Sequence, residues 1–553
     1  MNKSILLLFL VVGILPATAK ERSPQEMIQA ARTVLIRQAE HNQQRAAANI
    51  QLDVIQRSTQ LTIIGGTAGF AVVANDDDFA PILGYSDKEY ISNNVSPEFL
   101  WWLDAMNEQL EYNLANGIKT SHVRPVGPQF ASKVEPLMVT EWGQNAPYYN
   151  QTPTYTNGKT ELHYVTGCVA TAMSQIMYYH KWPEKGKGTI SYYFTPEGST
   201  AQTKLTVNLA ASPYDWNNML PVYKGVNYNQ AQADAVSTLM KHCGYAVKMQ
   251  YTTTGSGAFT SDAAKALGKY FYYNPNMHFY RRDFFPVEEW MEKIFNELNE
   301  GNPVLYGANK GSSGSGHEFV FDGYDENGLV HVNWGWDGNQ NGHFDIASLN
   351  GYTQGQEMVL IRKNTDEVPF QSYWGMSGDL SVTSPSTTTI RASFNAYNLD
   401  YNTFKGKVGL LLCNLATNEI AVLETEDIES EYLYGGNFSF SGINLAEQSD
   451  GNYRLYAGSF STNGAKTDIE WQPIRCFETY NNSYLVDIAN GKVSIKEEDN
   501  ANWTSTAIEL NSFEALDSSS PVRYYDLQGR EVDASAHGVL IMKQGNKTRK
   551  VVR

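Results

Sequence analysis

The chain has 553 residues, 42% of them hydrophobic, which is enough apolar material for several separately cored domains. Its 59 Asp and Glu against 42 Lys and Arg give a net charge of −17, which argues against nucleic acid and anionic membrane as partners because both repel an acidic surface. At the N-terminus, Lys3 precedes an almost continuously apolar run over residues 5–15 and the small residues Ala17, Thr18 and Ala19. That is the pattern of a secretory signal peptide, 1–19. The run is too short to span a membrane and no later segment approaches spanning length, so the mature protein is expected to be secreted or held at the cell surface.

A unit of about a hundred residues follows. Ser23, Pro24 and Glu26 form a capping-box start with proline at the first helical position, opening a helix through Met27, Ala31, Val34 and Leu35. Strands are expected at residues 61–64 and 70–74. Ser96 and Pro97 announce a second helix with Phe99, Leu100, Leu103, Met106 and Leu110 on one side. Residues 117–133, polar with Pro125 and Pro128, read as an exposed linker.

The next informative stretch is GCVATAMSQIMYYHKWP, residues 167–183. Val169, Ala172, Met173, Ile176 and Met177 fall on one face of a helix, which Trp182 and Pro183 end. Cys168 precedes that face instead of belonging to it. Unpaired backbone N–H groups and the positive end of the helix dipole stabilise a thiolate there, so a lowered thiol pKa is expected. Cys243 is the contrast: it continues the stripe of Val236, Leu239 and Met240 and is expected in the core.

Downstream, GSSGSGHEFVFDGYDENGLVHVNWGWDG reads as a glycine-rich loop, a strand from His317, a turn at residues 325–328 and a returning strand through Trp334. Asn333 on the returning strand is placed to accept the His317 imidazole N–H. Cysteine, histidine and asparagine would then serve as nucleophile, base and orienter, with Trp334 or Trp336 shielding the histidine–asparagine bond from water. His331 and His343 are expected to be structural.

The segments WGQNAPYYN, TGCVATAMSQIMYYHKWP, TTTGSGAFTSDAAKALGKYF, GHEFVFDGYD and HVNWGWDG resemble the streptopain and interpain family of papain-like cysteine peptidases, and GFAVVANDDDFAPILGYS resembles that family's propeptide. The resemblance implies Cys168 as nucleophile and His317 as general base, with Asn333 and Trp334 assisting the histidine. It also implies Gln144 as an oxyanion-hole donor beside the Cys168 backbone N–H, and Gly255, Ser256, Gly257 and Gly316 as substrate-binding positions. An oxyanion donor of this kind is worth on the order of 3 kcal/mol of barrier. Residues 20–130 would be an inhibitory propeptide acting as an intramolecular partner, and residues 131–365 an α+β papain-like domain with a helical part and an antiparallel β part. Protein or peptide substrates are expected. No metal or other cofactor is called for, since the chain has no HExxH motif and no closely spaced cysteine pair.

Two other readings compete. A transglutaminase-like acyltransferase would use Asp322 or Asp325 as its third member, and a catalytically silent surface adhesin would use the β modules for binding. Over residues 366–497 the texture changes to short alternating strands separated by Asn, Gly, Asp and Ser turns, the signature of a β-sandwich. Cys413 and Cys476 lie there, and their pairing does not follow from spacing. Residues 498–553 resemble the C-terminal sorting modules of proteins exported by the type IX route, which would make secretion machinery a partner.

Overall fold

The computed structural model describes residues 20–41, 51–310, 316–349, 354–477 and 479–497, with four short strands further on. The signal peptide expected at 1–19 lies outside the described residues, as does most of 498–553. Among the described residues, no helix is long and apolar enough to cross a membrane.

The N-terminal unit opens with α1 (Pro24–His41). Its capping box is formed: Ser23 N–H donates to Glu26 Oε2 at 2.7 Å and Glu26 N–H to Ser23 Oγ at 3.3 Å. Strands β1 (Asp53–Arg57), β2 (Leu61–Gly66), β3 (Gly69–Ala74) and β4 (Ile82–Ser86) follow, then α2 (Pro97–Ala115), capped by Ser96. Leu100, expected on the apolar stripe of α2, is instead 42% exposed, while Trp101 and Trp102 are buried. The buried face is wider than a single stripe because α2 packs both on Phe70 of its own unit and on Phe319 and Phe344 of the next.

The middle of the chain holds the hairpin β5 (Thr154–Asn157) and β6 (Thr160–His163), α3 (Cys168–His180), the hairpin β7 (Thr189–Phe194) and β8 (Thr203–Asn208), α4 (Gln230–Ala246) and α5 (Thr260–Tyr270). After these come β9 (His278–Arg281), α6 (Val287–Asn299), β10 (Val304–Lys310), β11 (Gly316–Tyr324), β12 (Val330–Asn333), β13 (Gly342–Phe344) and β14 (Gln354–Leu360). Among the described residues β1 to β4 and β9 to β14 form one antiparallel sheet in the order β1-β2-β3-β4-β13-β12-β11-β10-β14-β9. The sheet therefore runs across the division placed at residue 130, through the pairs Tyr85–His343 and Gly84–Phe344. Pairing between segments this far apart in sequence leaves no local signature.

Alternation along β11 sorts its side chains. Val320 joins the core of α3, α4 and α5, whereas Phe319 and Phe321 join the opposite core, shared with α2 and α6.

Beyond the peptidase-like part, the strands Trp374–Met376, Thr389–Asn398 and Gly435–Asn444 belong to one sheet, and Phe404–Asn414, Ile420–Ser430, Gly451–Asn463 and Ser483–Ala489 to a second. Trp374, Ile390 and Phe438 from the first and Val408, Leu455 and Val486 from the second share a core. Cys168, Cys243, Cys413 and Cys476 are all free thiols, so Cys413 and Cys476 are not bridged. The strands Val522–Tyr525, Glu531–Val532, Val539–Gln544 and Lys547–Val552 form a separate antiparallel sheet.

Candidate active site

Cys168 is the first residue of α3, and its position follows from Gly167. That glycine has φ +86° and a Cβ on it would stand 2.7 Å from the Ser256 carbonyl oxygen, so both backbone angle and close approach require glycine. Ser256 Oγ donates to Val165 O at 2.7 Å and accepts from Thr252 N–H at 3.0 Å. The loop carrying Gly255, Ser256 and Gly257 is thus fastened beside the approach to Cys168; Gly255 and Gly257 are exposed, as is Gly316 at the start of β11. Val169, Ala172, Met173, Ile176 and Met177 are buried as expected, and Cys243 lies in the same core with its Sγ 3.6 Å from Met177 Sδ.

The thiol differs from expectation. The backbone N–H groups of Glu318 and Val169 do bond the sulfur and favour the thiolate, yet burial, reinforced by the carboxylates of Glu98 and Glu318, pushes the Cys168 pKa up. A helix N-terminus lowers a thiol pKa only where desolvation and nearby anions do not outweigh it.

His317 does not bond the thiol. It is next in sequence to Glu318, whose N–H reaches Sγ, and in the alternation of β11 it shares the parity of Phe319 and Phe321. No hydrogen bond joins His317 to Cys168. The group beside the imidazole is Glu98, in the first turn of α2, with Oε1 at 3.9 Å from His317 Nδ1. The same oxygen accepts from Gln144 Nε2 at 3.3 Å, and Oε2 accepts from Ser96 Oγ at 2.6 Å. Glu98 and Gln144 are 1% and 6% exposed, so one buried carboxylate from the N-terminal unit sits on both side chains expected to assist Cys168.

Asn333 does not orient His317 here. Its register partner on β11 is Val320; its Oδ1 accepts from Gln175 Nε2 at 3.2 Å and its Nδ2 donates to Thr140 O at 2.7 Å. Trp334 shields no histidine–asparagine bond: its Nε1 donates to Gln340 O at 2.9 Å and its ring packs on Phe99, Phe319 and Phe344. The carboxylates considered for an acyltransferase are also elsewhere. Asp322 Oδ1 is 2.6 Å from His331 Nδ1, and Asp325 holds the β11–β12 turn and accepts from Tyr85 Oη at 3.1 Å. His331 and His343 stack edge to face at 5.0 Å. Sequence reasoning missed Glu98, Glu318 and Gln175. An acidic residue after an N-cap reads as an exposed partner of the helix dipole, so Glu98 carried no mark of burial.

Comparison with known proteins fits this geometry. Residues 142–344 match the Peptidase C10 family and residues 20–110 match the Spi protease inhibitor. Streptopain of Streptococcus pyogenes is 31% identical over 320 residues, covering 55% of this chain and 80% of that protein. The chain belongs to the peptidase C10 family. A second C10 relative, the thiol protease/hemagglutinin PrtT of Porphyromonas gingivalis, is 32% identical over 329 residues, and there the match spans only 37% of the relative's length. The structure of a prointerpain A fragment from Prevotella intermedia is 35% identical, with a TM-score of 0.51, covering 56% of this chain and 98% of the fragment. Streptopain-like and interpain-like C10 proteins are cysteine proteases, and this chain carries the inhibitor-type propeptide unit on the same polypeptide.

Proposed function

We propose that the chain is the zymogen of a secreted cysteine endopeptidase and that Glu98 holds it latent. The observation that carries this reading is the shared contact of Glu98 with His317 and Gln144 beside a Cys168 thiol whose pKa is raised. That single carboxylate opposes catalysis in three ways. It engages the imidazole, it occupies the amide that would meet an oxyanion, and it disfavours the thiolate electrostatically.

Removal of the N-terminal unit takes Glu98 away and frees the His317 imidazole to pair with the Cys168 thiol. The Cys168 thiolate then attacks a peptide carbonyl, the His317 imidazolium protonates the leaving amine, and water activated by the neutral imidazole releases the acyl group. Gln144 Nε2 and the Cys168 backbone N–H meet the oxyanion. Asn333 lies on the α3 face of the sheet and assists the histidine only once Glu98 has gone. Residues 1–19 direct export, and residues 498–553 serve sorting; deleting 520–553 is expected to leave peptidase activity and abolish secretion.

Iodoacetamide labelling of the chain before and after processing, with N-terminal sequencing of the product, tests the reading. Slow labelling of Cys168 in the full chain and fast labelling once the N-terminal unit is gone is the expected result. Equal rates would remove Glu98 as the latch.

A further inference from the structure

On the face of β11 that looks toward α3, the residue beside Cys168 is a carboxylate. Glu318 is 3% exposed, its N–H bonds Cys168 Sγ, and its same-face neighbour Val320 is fully buried in the apolar core. Across the sheet it pairs with Gly307, which pairs with Glu357, which pairs with Arg281. Residues directly opposite in an antiparallel sheet share a face, so the glycine leaves a side-chain gap between two carboxylates. Thr260, at the start of α5, fills that gap: a Cβ on Gly307 would stand 2.0 Å from Thr260 Oγ1 and 2.7 Å from Glu318 Oε2.

The two carboxylates are not equivalent. Glu357 accepts from Tyr432 Oη at 3.1 Å and has Arg281 Nε at 4.0 Å. Glu318 Oε2 accepts only from Thr260 Oγ1, at 2.8 Å, and Glu318 Oε1, although buried, has no hydrogen-bond partner. No cation pairs with Glu318 among the described residues. A buried carboxylate without a cation is costly, and at this depth a structural role alone would be met by an apolar side chain like that of Val320. Phe259, next to Thr260, is 75% exposed, so the surface lies one residue along the chain from the hydroxyl that covers Glu318, while Thr260 itself is buried.

We propose that Glu318 is the floor of a specificity subsite that takes a cationic substrate side chain, arginine or lysine, next to the scissile bond. This rests on the peptidase reading above. The titratable groups facing Glu318 are Cys168 on α3 and Glu357 on β14; α5 presents the Thr260 hydroxyl and β10 presents Gly307. Burial raises the Glu318 pKa to about 8, so the carboxylate ionises, and its pull on a cation grows, as pH rises through that value.

The test uses the processed enzyme and peptide pairs differing only in Arg against Leu, placed in turn at each position flanking the scissile bond. At one position the wild type is expected to favour Arg, with preference rising from pH 7 to 9. Glu318→Gln, nearly isosteric, is expected to lower the Arg-to-Leu ratio of kcat/KM by about tenfold or more and to flatten its pH dependence. Casein hydrolysis blocked by iodoacetamide reports the peptidase independently. If casein is cleaved and the ratio is unchanged in Glu318→Gln, or no position favours Arg, the subsite is overturned alone; if casein is not cleaved, the peptidase reading falls and the subsite with it.

Discussion

The peptidase sheet has a neighbour at each end. At the β13 end, the N-terminal unit is joined by two backbone pairs, a stack of Tyr85 on the His343 ring at 5.1 Å, apolar packing of α2, and polar contacts that include Trp102 Nε1 to Asp345 O at 2.9 Å and Lys88 Nζ to Glu141 at 2.7 Å. At the β9 end, the β-sandwich is joined by directed polar contacts. Arg475 makes two 2.9 Å bonds to Glu289 and lies 4.1 Å over Phe285, Tyr401 Oη donates to Pro275 O at 2.9 Å, and Tyr432 Oη reaches Glu357. The first attachment brings Glu98 to His317 and Gln144, and on the proposed reading it must come away for activity; the second places none of these contacts on Cys168.

The sharpest way to separate the two is Cys168→Ala, expected to abolish peptide hydrolysis by at least about 10⁴-fold and to leave the N-terminal unit attached in electrophoresis of the purified chain. If the alanine variant still sheds that unit unaided, self-processing is the wrong account. Arg475→Met attacks the other end. It leaves Glu289 with Lys293 Nζ at 3.3 Å as its remaining cation, and urea unfolding should show a loss of about 2 kcal/mol with processing unaffected. A smaller effect is expected from Glu98→Ala. With its carboxylate gone, Cys168 in the unprocessed chain should alkylate about tenfold faster at pH 7, equivalent to one unit of thiol pKa.

pH acts on the β13 end. Burial holds the His343 pKa well below the usual imidazole value, so the separated state binds the proton more readily than the joined one. The seam is at full strength above about pH 6.5 and weakens as pH falls below it, speeding release of the N-terminal unit by at most about tenfold per pH unit, measurable by processing rate. Release that slowed on acidification would contradict the assignment. Least of all, Leu100→Ser on the exposed side of α2 should change stability by no more than about 0.5 kcal/mol in the same urea assay.

Much of this arrangement could be read in advance where the signal was local. The Ser23–Glu26 box, the helix from Cys168, the Asp325 turn and the alternation from Thr389 to Asn398 all depend on residues within a turn or two of one another. What escaped depends on pairings between distant segments. Asn333 was placed beside His317 by its presence on the returning strand, but the Asp325 turn and the bulge between Phe321 and Gly323 set it opposite Val320. The group that meets the His317 imidazole is Glu98, more than two hundred residues upstream, through a contact that no periodicity encodes.

Once β4 departs, β13 becomes an outer rim of the sheet. A long bare rim invites strands from other molecules to add on, the first step toward fibrous association. Here the rim is only Gly342 to Phe344, three residues. The brevity of that strand means that a protein relieved of its four-stranded partner, as proposed, would offer newcomers almost no ladder to climb.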